Sequence, residues 1–320
     1  MIKVENLTRT FGPKVAVNNI SFSLERGEIL GFLGPNGAGK STTMRMITGF
    51  FPPSSGRISV GGHDVVEAPI QAKRLMGYLP ENAPSYTDMT VWQFLNFTGE
   101  LRGLQGAGRK AAVAKVIDTC FLGGVVHQSV DTLSKGYRHR LCFAQSIIHN
   151  PDVLIMDEPT DGLDPNQKHE VRNLIRTMGE TKAIIFSTHI LEEVEAVCTR
   201  AIIIDRGSIV ASGTPAELKA RSEGAGVVSL RVTGQALDVV RGKLEALPAV
   251  KRAAVVGPDA SAVALRVYPR NKGHNGELLM AVSDLVTREH WRVEDLHAEE
   301  GRLDEVFRTI TLPDTRSEVR

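Results

Sequence analysis

Short apolar runs alternate with segments of helical character through the first two thirds of the chain. The run GEILGFLG (27–34) leads into a glycine-rich loop, and KSTTMRMITG (40–49) has the character of a helix that ends at a glycine. Farther on, helical segments separate three apolar runs, DVLIMDEP, KAIIFSTH and RAIIIDRGSIVASG. Strands that alternate with helices predict a mostly parallel sheet that binds its ligands where the strands end.

Two regions within residues 1–215 depart from this alternation. The segment GRISVGGHDV is typical of a hairpin around Gly61 and Gly62 and predicts an antiparallel β subdomain. Residues from about 84 to 150 are mainly helical with glycine breaks, which predicts a helical subdomain. We therefore expect residues 1–215 to form one α/β domain with these two subdomains.

The pattern changes after residue 215. The segment AELKARSEGAG (216–226) is small, charged and contains glycine, as is typical of a linker. Residues 227–312 follow the order strand, helix, strand, strand, helix, strand, helix. This order predicts an α+β domain of the split βαβ, ferredoxin-like arrangement with one added helix. Residues 313–320 are expected to be a frayed tail.

Composition narrows the class of protein. The formal net charge is +1, so no overall electrostatic field favours nucleic acid or anionic lipid as a partner. The three cysteines are widely spaced, which fits a reducing compartment and argues against a disulfide framework or a zinc site. The start of the chain lacks the apolar stretch of a signal peptide, and no run approaches the roughly 18 apolar residues that span a bilayer. We expect a cytoplasmic protein that reaches any membrane through a partner.

The loop GPNGAGKS (34–41) carries the clearest chemistry. It matches the phosphate-binding pattern G-x-x-x-x-G-K-[ST] in the required place, after a strand and before a helix. Its glycines let backbone N–H groups turn inward around an anion, and the helix N-terminus adds partial positive charge. Lys40 can reach the β- and γ-phosphates of a nucleotide, and Ser41 can offer its hydroxyl to Mg²⁺.

A second acidic element follows the apolar run VLIMDEP (153–159). Four apolar residues bury this strand and place Asp157 and Glu158 at its carboxyl end. Asp157 is expected to hold Mg²⁺ through water, and Glu158 to orient and polarise an attacking water. Two adjacent carboxylates can also be a solvated strand exit, but the lysine loop favours a site.

Five motifs in a fixed order give residues 1 to about 215 a resemblance to the ATP-binding subunits of ABC transporters. GPNGAGKST resembles the Walker A motif of that family, VLIMDEPT its Walker B motif, DGLD (161–164) its D-loop and STH (187–189) its switch histidine. The segment LSKGYRHR (133–140), called the signature below, resembles the family segment usually written LSGGQ. The resemblance implies a P-loop NTPase fold and an ATPase that uses Mg²⁺.

The resemblance also implies roles for single residues. His189 would contact the γ-phosphate and the attacking water, Phe11 would stack on adenine, and Glu81 stands at the Q-loop position. The structural alternatives are a strand-end histidine for His189 and a core phenylalanine for Phe11. The predicted catalytic residues are Lys40, Glu158 and His189, and the predicted metal ligands are Ser41, Asp157 and Glu81. The predicted ATP contacts are Phe11, Gly34, Pro35, Asn36, Gly37, Ala38, Gly39, Lys40, Ser41, Thr42, Glu81, Ser134, Gly136 and Asp164.

The sequence departs from the family pattern at four positions. Glu81 replaces the usual glutamine, which adds a negative charge and removes the amide donors. In the signature, Lys135 replaces glycine and Tyr137 replaces glutamine. Asp161 occupies a D-loop position where a small residue such as serine is common. Because the sequence keeps the family residues Lys40, Asp157, Glu158 and His189, we expect a competent ATPase.

The resemblance implies two kinds of partner. In this family two subunits pack head to tail, so Ser134 and the Gly136 amide would bind the γ-phosphate held by a second copy of the chain. A separate membrane permease would lie in the groove beside residues 81–105, and the chain would be peripheral on the inner face of the cell membrane. The stretches YLPENAPSYTDMTVWQFL, STHILEEVEAVC and LDEVFRTIT look most like exporter subunits of the gliding-motility-associated and multidrug group.

Three alternatives stay open at this point. An importer ATPase can also carry a C-terminal ferredoxin-like domain that senses a ligand. A soluble ABC ATPase that acts on DNA or ribosomes is disfavoured by the single ATP cassette, the lack of heptads or cysteine clusters, and the near-neutral charge. A regulatory binding module would use residues 227–311 to sense a small molecule, but that region contains no cofactor motif.

Overall fold

The computed structural model describes residues 1–81, 86–256, 262–271 and 276–311. The chain divides into two compact units, Met1–Thr214 and Pro215–Arg320. The predicted tail 313–320 lies outside the described residues. Within the described part of the chain, no helix combines the length and the apolar character needed to cross a bilayer.

The first unit alternates strands and helices through most of its length. In chain order its elements are β1 (Ile2–Phe11), β2 (Lys14–Leu24), β3 (Ile29–Leu33), α1 (Lys40–Ile47), β4 (Ser55–Val60), β5 (His63–Asp64), α2 (Pro69–Arg74), β6 (Met76–Leu79), α3 (Val91–Leu101), α4 (Gly106–Thr119), α5 (Lys135–Ile147), β7 (Val153–Asp157), α6 (Pro165–Gly179), β8 (Ala183–Thr188), α7 (Leu191–Val197), β9 (Arg200–Asp205) and β10 (Ser208–Gly213). Two short 3₁₀ helices, Gly123–Val125 and Val130–Thr132, lie between α4 and α5.

The strands of the first unit form two sheets. The smaller sheet is antiparallel with the order β2-β1-β4-β5, and the turn at Gly61 and Gly62 joins β4 to β5 as predicted. The larger sheet has the order β10-β9-β3-β8-β7-β6, and its pairs are parallel except for β10 with β9. The run RAIIIDRGSIVASG therefore forms two antiparallel strands, β9 and β10, and not one strand. Arg206 and Gly207 both have positive φ, as a tight two-residue hairpin turn requires.

Two hydrophobic cores lie on the opposite faces of the larger sheet. Along β7, Val153 and Ile155 face the core shared with the antiparallel sheet and α1, whereas Leu154 and Met156 face the core shared with α3, α4 and α5. The strands β3, β7 and β8 are buried along their whole length. Because helices or strands cover both faces, polar side chains can meet only where these strands end.

The predicted helical subdomain consists of α3, α4 and α5. The helix α3 begins with a capping box, in which Gln93 N donates to Thr90 Oγ1 at 3.2 Å and Thr90 N donates to Gln93 Oε1 at 2.8 Å. Ser134 is the N-cap of α5, and its Oγ accepts from Tyr137 N at 3.3 Å. The signature therefore forms the start of α5.

The second unit begins at Pro215 and so includes the segment 216–226 that was expected to be a linker. In chain order its elements are α8 (Pro215–Lys219), β11 (Val228–Thr233), α9 (Leu237–Glu245), β12 (Val250–Val255), β13 (Ala262–Pro269), α10 (Glu277–Arg288), β14 (Arg292–Ala298) and α11 (Leu303–Ile310). The sheet has the order β12-β13-β11-β14 with antiparallel pairs. Leu218 of α8 is buried and α8 packs against α11, which ties the segment to this unit.

Candidate functional site

The glycine-rich loop connects the buried strand β3 to the helix α1. Gly39 precedes α1 with a φ of 108°, and a Cβ atom added there would lie 2.6 Å from the carbonyl oxygen of Ala16. Only glycine fits this position without moving the backbone. Among the described residues no side chain caps α1, so its first N–H groups are available to an anion.

Lys40 is the first residue of α1, and its side chain is buried. Its Nζ donates to the carbonyl oxygens of Gly34 at 2.7 Å and Pro35 at 3.3 Å, and lies 4.0 Å from Glu158 Oε1. Burial lowers the pKa of Lys40, and the neighbouring carboxylates, Glu158 foremost, oppose that shift. A phosphate group beside the loop would further stabilise the ammonium form.

Asp157 ends β7 and is 1% exposed. Its Oδ1 accepts from Ser41 Oγ at 3.1 Å and from Ser187 Oγ. Its Oδ2 is buried and has no partner among the described residues. An unpaired carboxylate oxygen beside a serine hydroxyl fits Mg²⁺, which prefers hard oxygen ligands.

The described residues contain no cluster of three or more His, Cys, Asp or Glu side chains that could hold a metal ion. Such a cluster is not needed for Mg²⁺, because this ion usually keeps several waters and binds through one or two carboxylates together with substrate phosphates. Ser41 and Asp157 therefore remain suitable ligands.

Glu158 and His189 form a contact at the ends of β7 and β8. His189 Nδ1 lies 3.0 Å from Glu158 Oε2. The backbone N–H of Glu158 donates to Ser187 Oγ at 3.1 Å and to the Ser187 carbonyl oxygen at 3.2 Å. Burial raises the pKa of Glu158, while His189 and Lys40 oppose the shift. The Glu158 carboxylate is thus partly desolvated, with the Lys40 ammonium near one of its oxygens and the His189 imidazole near the other.

A cleft of about 410 Å³ lies at the glycine-rich loop. It is lined by Phe11, Lys14, Ala16, Pro35, Asn36, Gly37, Ala38, Gly39, Lys40, Ser41, Thr42, Glu81 and Glu158. The structure thereby brings most of the predicted ATP contacts together, and Glu81, the third predicted metal ligand, is among them. Lys14 and Ala16 were not predicted, because only the β1–β2 hairpin places them beside the loop.

Phe11 lies at the cleft with 45% of its surface exposed, which excludes the core-phenylalanine alternative. The Arg9 guanidinium is 4.7 Å from the centre of the Phe11 ring, and the Phe51 ring contacts it edge-on at 5.7 Å between centroids. These neighbours hold the ring at the edge of the cleft, where it can stack on a flat ligand.

Four predicted ATP contacts do not line this cleft within the described residues, namely Gly34 of the loop, Ser134 and Gly136 of the signature, and Asp164 of the D-loop. Asp164 is the N-cap of α6, and its Oδ1 accepts from Gln167 N at 2.9 Å. The Gln167 side chain in turn lies against Gly136, where an added Cβ would be 2.7 Å from its Oε1. Within one chain, Ser134 caps the start of α5 and Asp164 caps the start of α6.

Two of the departures from the family pattern meet in the structure. Lys135 Nζ lies 3.2 Å from Asp161 Oδ2, and both side chains are more than half exposed. The ion pair joins the signature to the D-loop within one chain. It was not predicted, because the two residues are 26 positions apart and belong to different motifs.

Comparisons with known proteins identify the family to which the chain is similar. Residues 17–161 match the ABC transporter family model. The chain is 38% identical over 235 residues to the linearmycin resistance ATP-binding protein LnrL of Bacillus subtilis, covering 73% of this chain and 76% of that protein. It is 35% identical over 248 residues to the Nod factor export ATP-binding protein I of Cupriavidus pinatubonensis, covering 77% and 76%. A solved ATP binding subunit of an ABC transporter is similar with a TM-score of 0.64 and 27% identity, over 68% of this chain and 92% of that one.

The matches to the two relatives extend over about three quarters of each protein. The residues that the family model matches, 17–161, include the glycine-rich loop and the β7 strand end. The chain therefore belongs to the family of ABC transporter ATP-binding proteins, and its first unit is an ABC ATPase.

Proposed function

We propose that this chain binds ATP with Mg²⁺ in the cleft at the glycine-rich loop and hydrolyses the γ-phosphate. One observation carries the proposal, the meeting of Lys40, Glu158 and His189. Lys40 Nζ is 4.0 Å from one Glu158 oxygen, and His189 Nδ1 is 3.0 Å from the other. A cation for phosphate, a carboxylate for water and a histidine that orients the carboxylate suit phosphoryl transfer to water.

Each side chain has a distinct part in this reaction. The N–H groups of the loop and Lys40 would hold the β- and γ-phosphates, and Phe11 would stack on the base. Glu158 would accept a proton from the attacking water, and the raised pKa that burial gives it makes it a better base. Ser41 and Asp157 would hold Mg²⁺, whose charge neutralises the phosphates when it is bound.

A second copy of the chain would complete the site. The signature residues Ser134 and Gly136 lie outside the cleft of their own chain, as far as the structure describes it. In a head-to-tail dimer, the start of α5 from one copy would cover the ATP held by the other, with its N–H groups directed at the γ-phosphate. ATP would then hold the dimer together, and hydrolysis would release it.

A groove on the helical subdomain would receive the membrane partner. It measures about 460 Å³ and is lined by Tyr86, Phe94, Phe97, Thr98, Leu101, Arg102 and Gln145. Tyr86 and Leu101 are 55% and 69% exposed, and exposed apolar side chains beside a groove are typical of an interaction site. A cytoplasmic segment of a separate permease fits here, which would place the chain at the inner face of the cell membrane.

Export is the proposed direction of transport. The two relatives are named for linearmycin resistance and for Nod factor export. The second unit would be an accessory domain of the ferredoxin-like type, because its order of elements and its sheet order β12-β13-β11-β14 both fit that arrangement. An importer whose second unit senses a ligand is the alternative, and a permease gene without a neighbouring binding protein would favour export.

Two variants test the enzymatic proposal. Lys40→Ala should abolish ATP hydrolysis measured by phosphate release. Glu158→Gln should slow hydrolysis by about 10²-fold or more and accumulate an ATP-bound dimer on size exclusion with Mg²⁺. Glu192→Gln, an exchange of the same type at an exposed carboxylate, serves as control. Normal hydrolysis by Lys40→Ala would contradict the loop assignment, and a monomer of Glu158→Gln with ATP would contradict the dimer.

A further inference from the structure

A buried carboxylate lies behind Glu158 and His189, which are called the catalytic pair below. Glu193 on α7 is 1% exposed. Its Oε1 accepts from Thr160 Oγ1 and from an Arg172 guanidinium nitrogen at 3.4 Å, and its Oε2 accepts from Thr188 Oγ1 at 2.8 Å. A buried carboxylate is unfavourable unless its oxygens are paired, so these donors must keep their positions for the charge to be tolerated.

The two threonines flank the catalytic pair in the chain. Thr160 follows Glu158 by two positions, and Thr188 directly precedes His189. The Thr188 hydroxyl also accepts from Ile190 N at 3.0 Å, which fixes the backbone on the other side of His189. One carboxylate therefore holds both segments that carry the pair.

The backbone of Glu158 needs such support. Its φ is +51°, in the left-handed region that residues with a side chain rarely adopt. Conformations of this kind persist only where the surroundings hold the chain on both sides. On the N-terminal side, the N–H of Glu158 donates to Ser187 Oγ and to the Ser187 carbonyl oxygen. Beyond it, Asp161 N donates to the Glu158 carbonyl oxygen at 3.1 Å, and Thr160 is anchored on Glu193.

We propose that Glu193 is a positioning residue for ATP hydrolysis. Its carboxylate sets the 3.0 Å contact between Glu158 and His189 by holding Thr160 and Thr188 together. The same link connects Thr188, which precedes the switch histidine, to Thr160, which directly precedes the D-loop. This inference rests on the proposed ATPase function, but it concerns the turnover step and not the binding of ATP.

The first test compares Glu193→Gln with Glu192→Gln, its exposed neighbour on the same helix. The glutamine keeps the shape of the side chain and removes one acceptor and the charge. In Glu193→Gln, kcat should fall about tenfold or more while KM for ATP stays within about twofold. Glu192→Gln should leave both constants unchanged. An unchanged kcat in a folded Glu193→Gln variant would overturn the proposal.

A second test separates positioning from general stabilisation. If Glu193 acts through the catalytic pair, Glu193→Gln should cost less than about threefold in kcat when His189 is already alanine. The same loss in both backgrounds would overturn the proposal. Should Glu193→Gln fail to fold, Thr188→Val removes one donor at nearly constant shape and should show the same dependence on His189. Absence of ATP hydrolysis by the unmodified chain would refute the proposed function, whereas hydrolysis insensitive to Glu193 would refute only this inference.

Discussion

A methyl group added to the phosphate loop should be tolerated at Gly37 and should disrupt the loop at Gly39. Both residues have positive φ, 78° and 108°, a conformation that costs a residue with a side chain about 1–2 kcal/mol. Nothing in the described structure lies within 4 Å of a Cβ atom placed on Gly37. Gly37→Ala should therefore reduce the free energy of unfolding by this backbone strain alone.

The surroundings of Gly39 add a second contribution. An added Cβ atom would lie 2.6 Å from the Ala16 carbonyl oxygen, well short of the 3.4 Å at which ordinary van der Waals contact begins. Ala16 belongs to β2, which is paired in a sheet and cannot withdraw like a flexible side chain. Overpacking of this kind typically costs about 1–3 kcal/mol, so Gly39→Ala should lose about 2–5 kcal/mol in all.

Urea denaturation of the nucleotide-free chain, followed by far-UV circular dichroism, measures both losses. Gly12→Ala is the control outside the loop, since Gly12 also has positive φ and open space around it. We expect similar losses at Gly12 and Gly37, a larger loss at Gly39 and an unchanged slope with urea. Equal losses at Gly37 and Gly39 would refute the argument that the approach to Ala16 sets the shape of the loop.

The departures from the family pattern and one buried histidine lead to further expectations. In a double-mutant cycle of Lys135→Ala and Asp161→Ala, the coupling in unfolding free energy should be below about 1 kcal/mol and shrink with salt, because both side chains are largely exposed. A coupling well above that value would contradict the picture of a surface pair. Burial lowers the pKa of His139 from 6.5 to about 4. As the pH falls, the unfolded chain therefore binds a proton at this histidine before the folded chain does. Stability should therefore fall by up to about 1.4 kcal/mol per pH unit between pH 6.5 and 4, and His139→Gln should flatten that slope in urea titrations at a series of pH values. Glu81→Gln should keep ATP affinity and change the stimulation of hydrolysis by the proposed permease partner, and lost affinity would be the contrary result.

The elements that sequence predicts best are those whose signal is local. In the second unit, the pattern of apolar and polar residues predicts a strand at 227–233 and a helix at 276–289, and the structure has β11 at Val228–Thr233 and α10 at Glu277–Arg288. The glycine-rich loop and the β7 strand end are also contiguous in sequence. Their meeting follows from the parallel sheet, in which the carboxyl ends of neighbouring strands share one edge.

The features that sequence does not reveal depend on contacts between distant segments. Glutamates stand at positions 192, 193 and 195, and nothing in their spacing tells which of them is buried. Only the packing of α7 against α6 and β8 turns Glu193 inward, to the two threonines and Arg172. The ion pair between Lys135 and Asp161 is unpredictable from the sequence for the same reason. Each residue is a separate departure from the family pattern, and only the fold brings the two side chains into contact.

These contacts divide the groups of the proposed site into two sets, one fixed inside the chain and one at the start of α5. The groups that would handle water and metal are fixed inside one chain. Asp157 accepts from Ser41 Oγ, the N–H of Glu158 donates to Ser187 Oγ, and Glu193 behind them accepts from Thr188 Oγ1. Of the groups that would cover the γ-phosphate, Ser134 is exposed at the start of α5, whereas Gly136 is buried against Gln167. Lys135 between them is paired only with another exposed side chain among the described residues. In the dimer proposed above, this division would keep the groups for water and metal in place within each copy while the other copy covers the γ-phosphate. Coupling of ATP hydrolysis to the closing of such a dimer requires this arrangement.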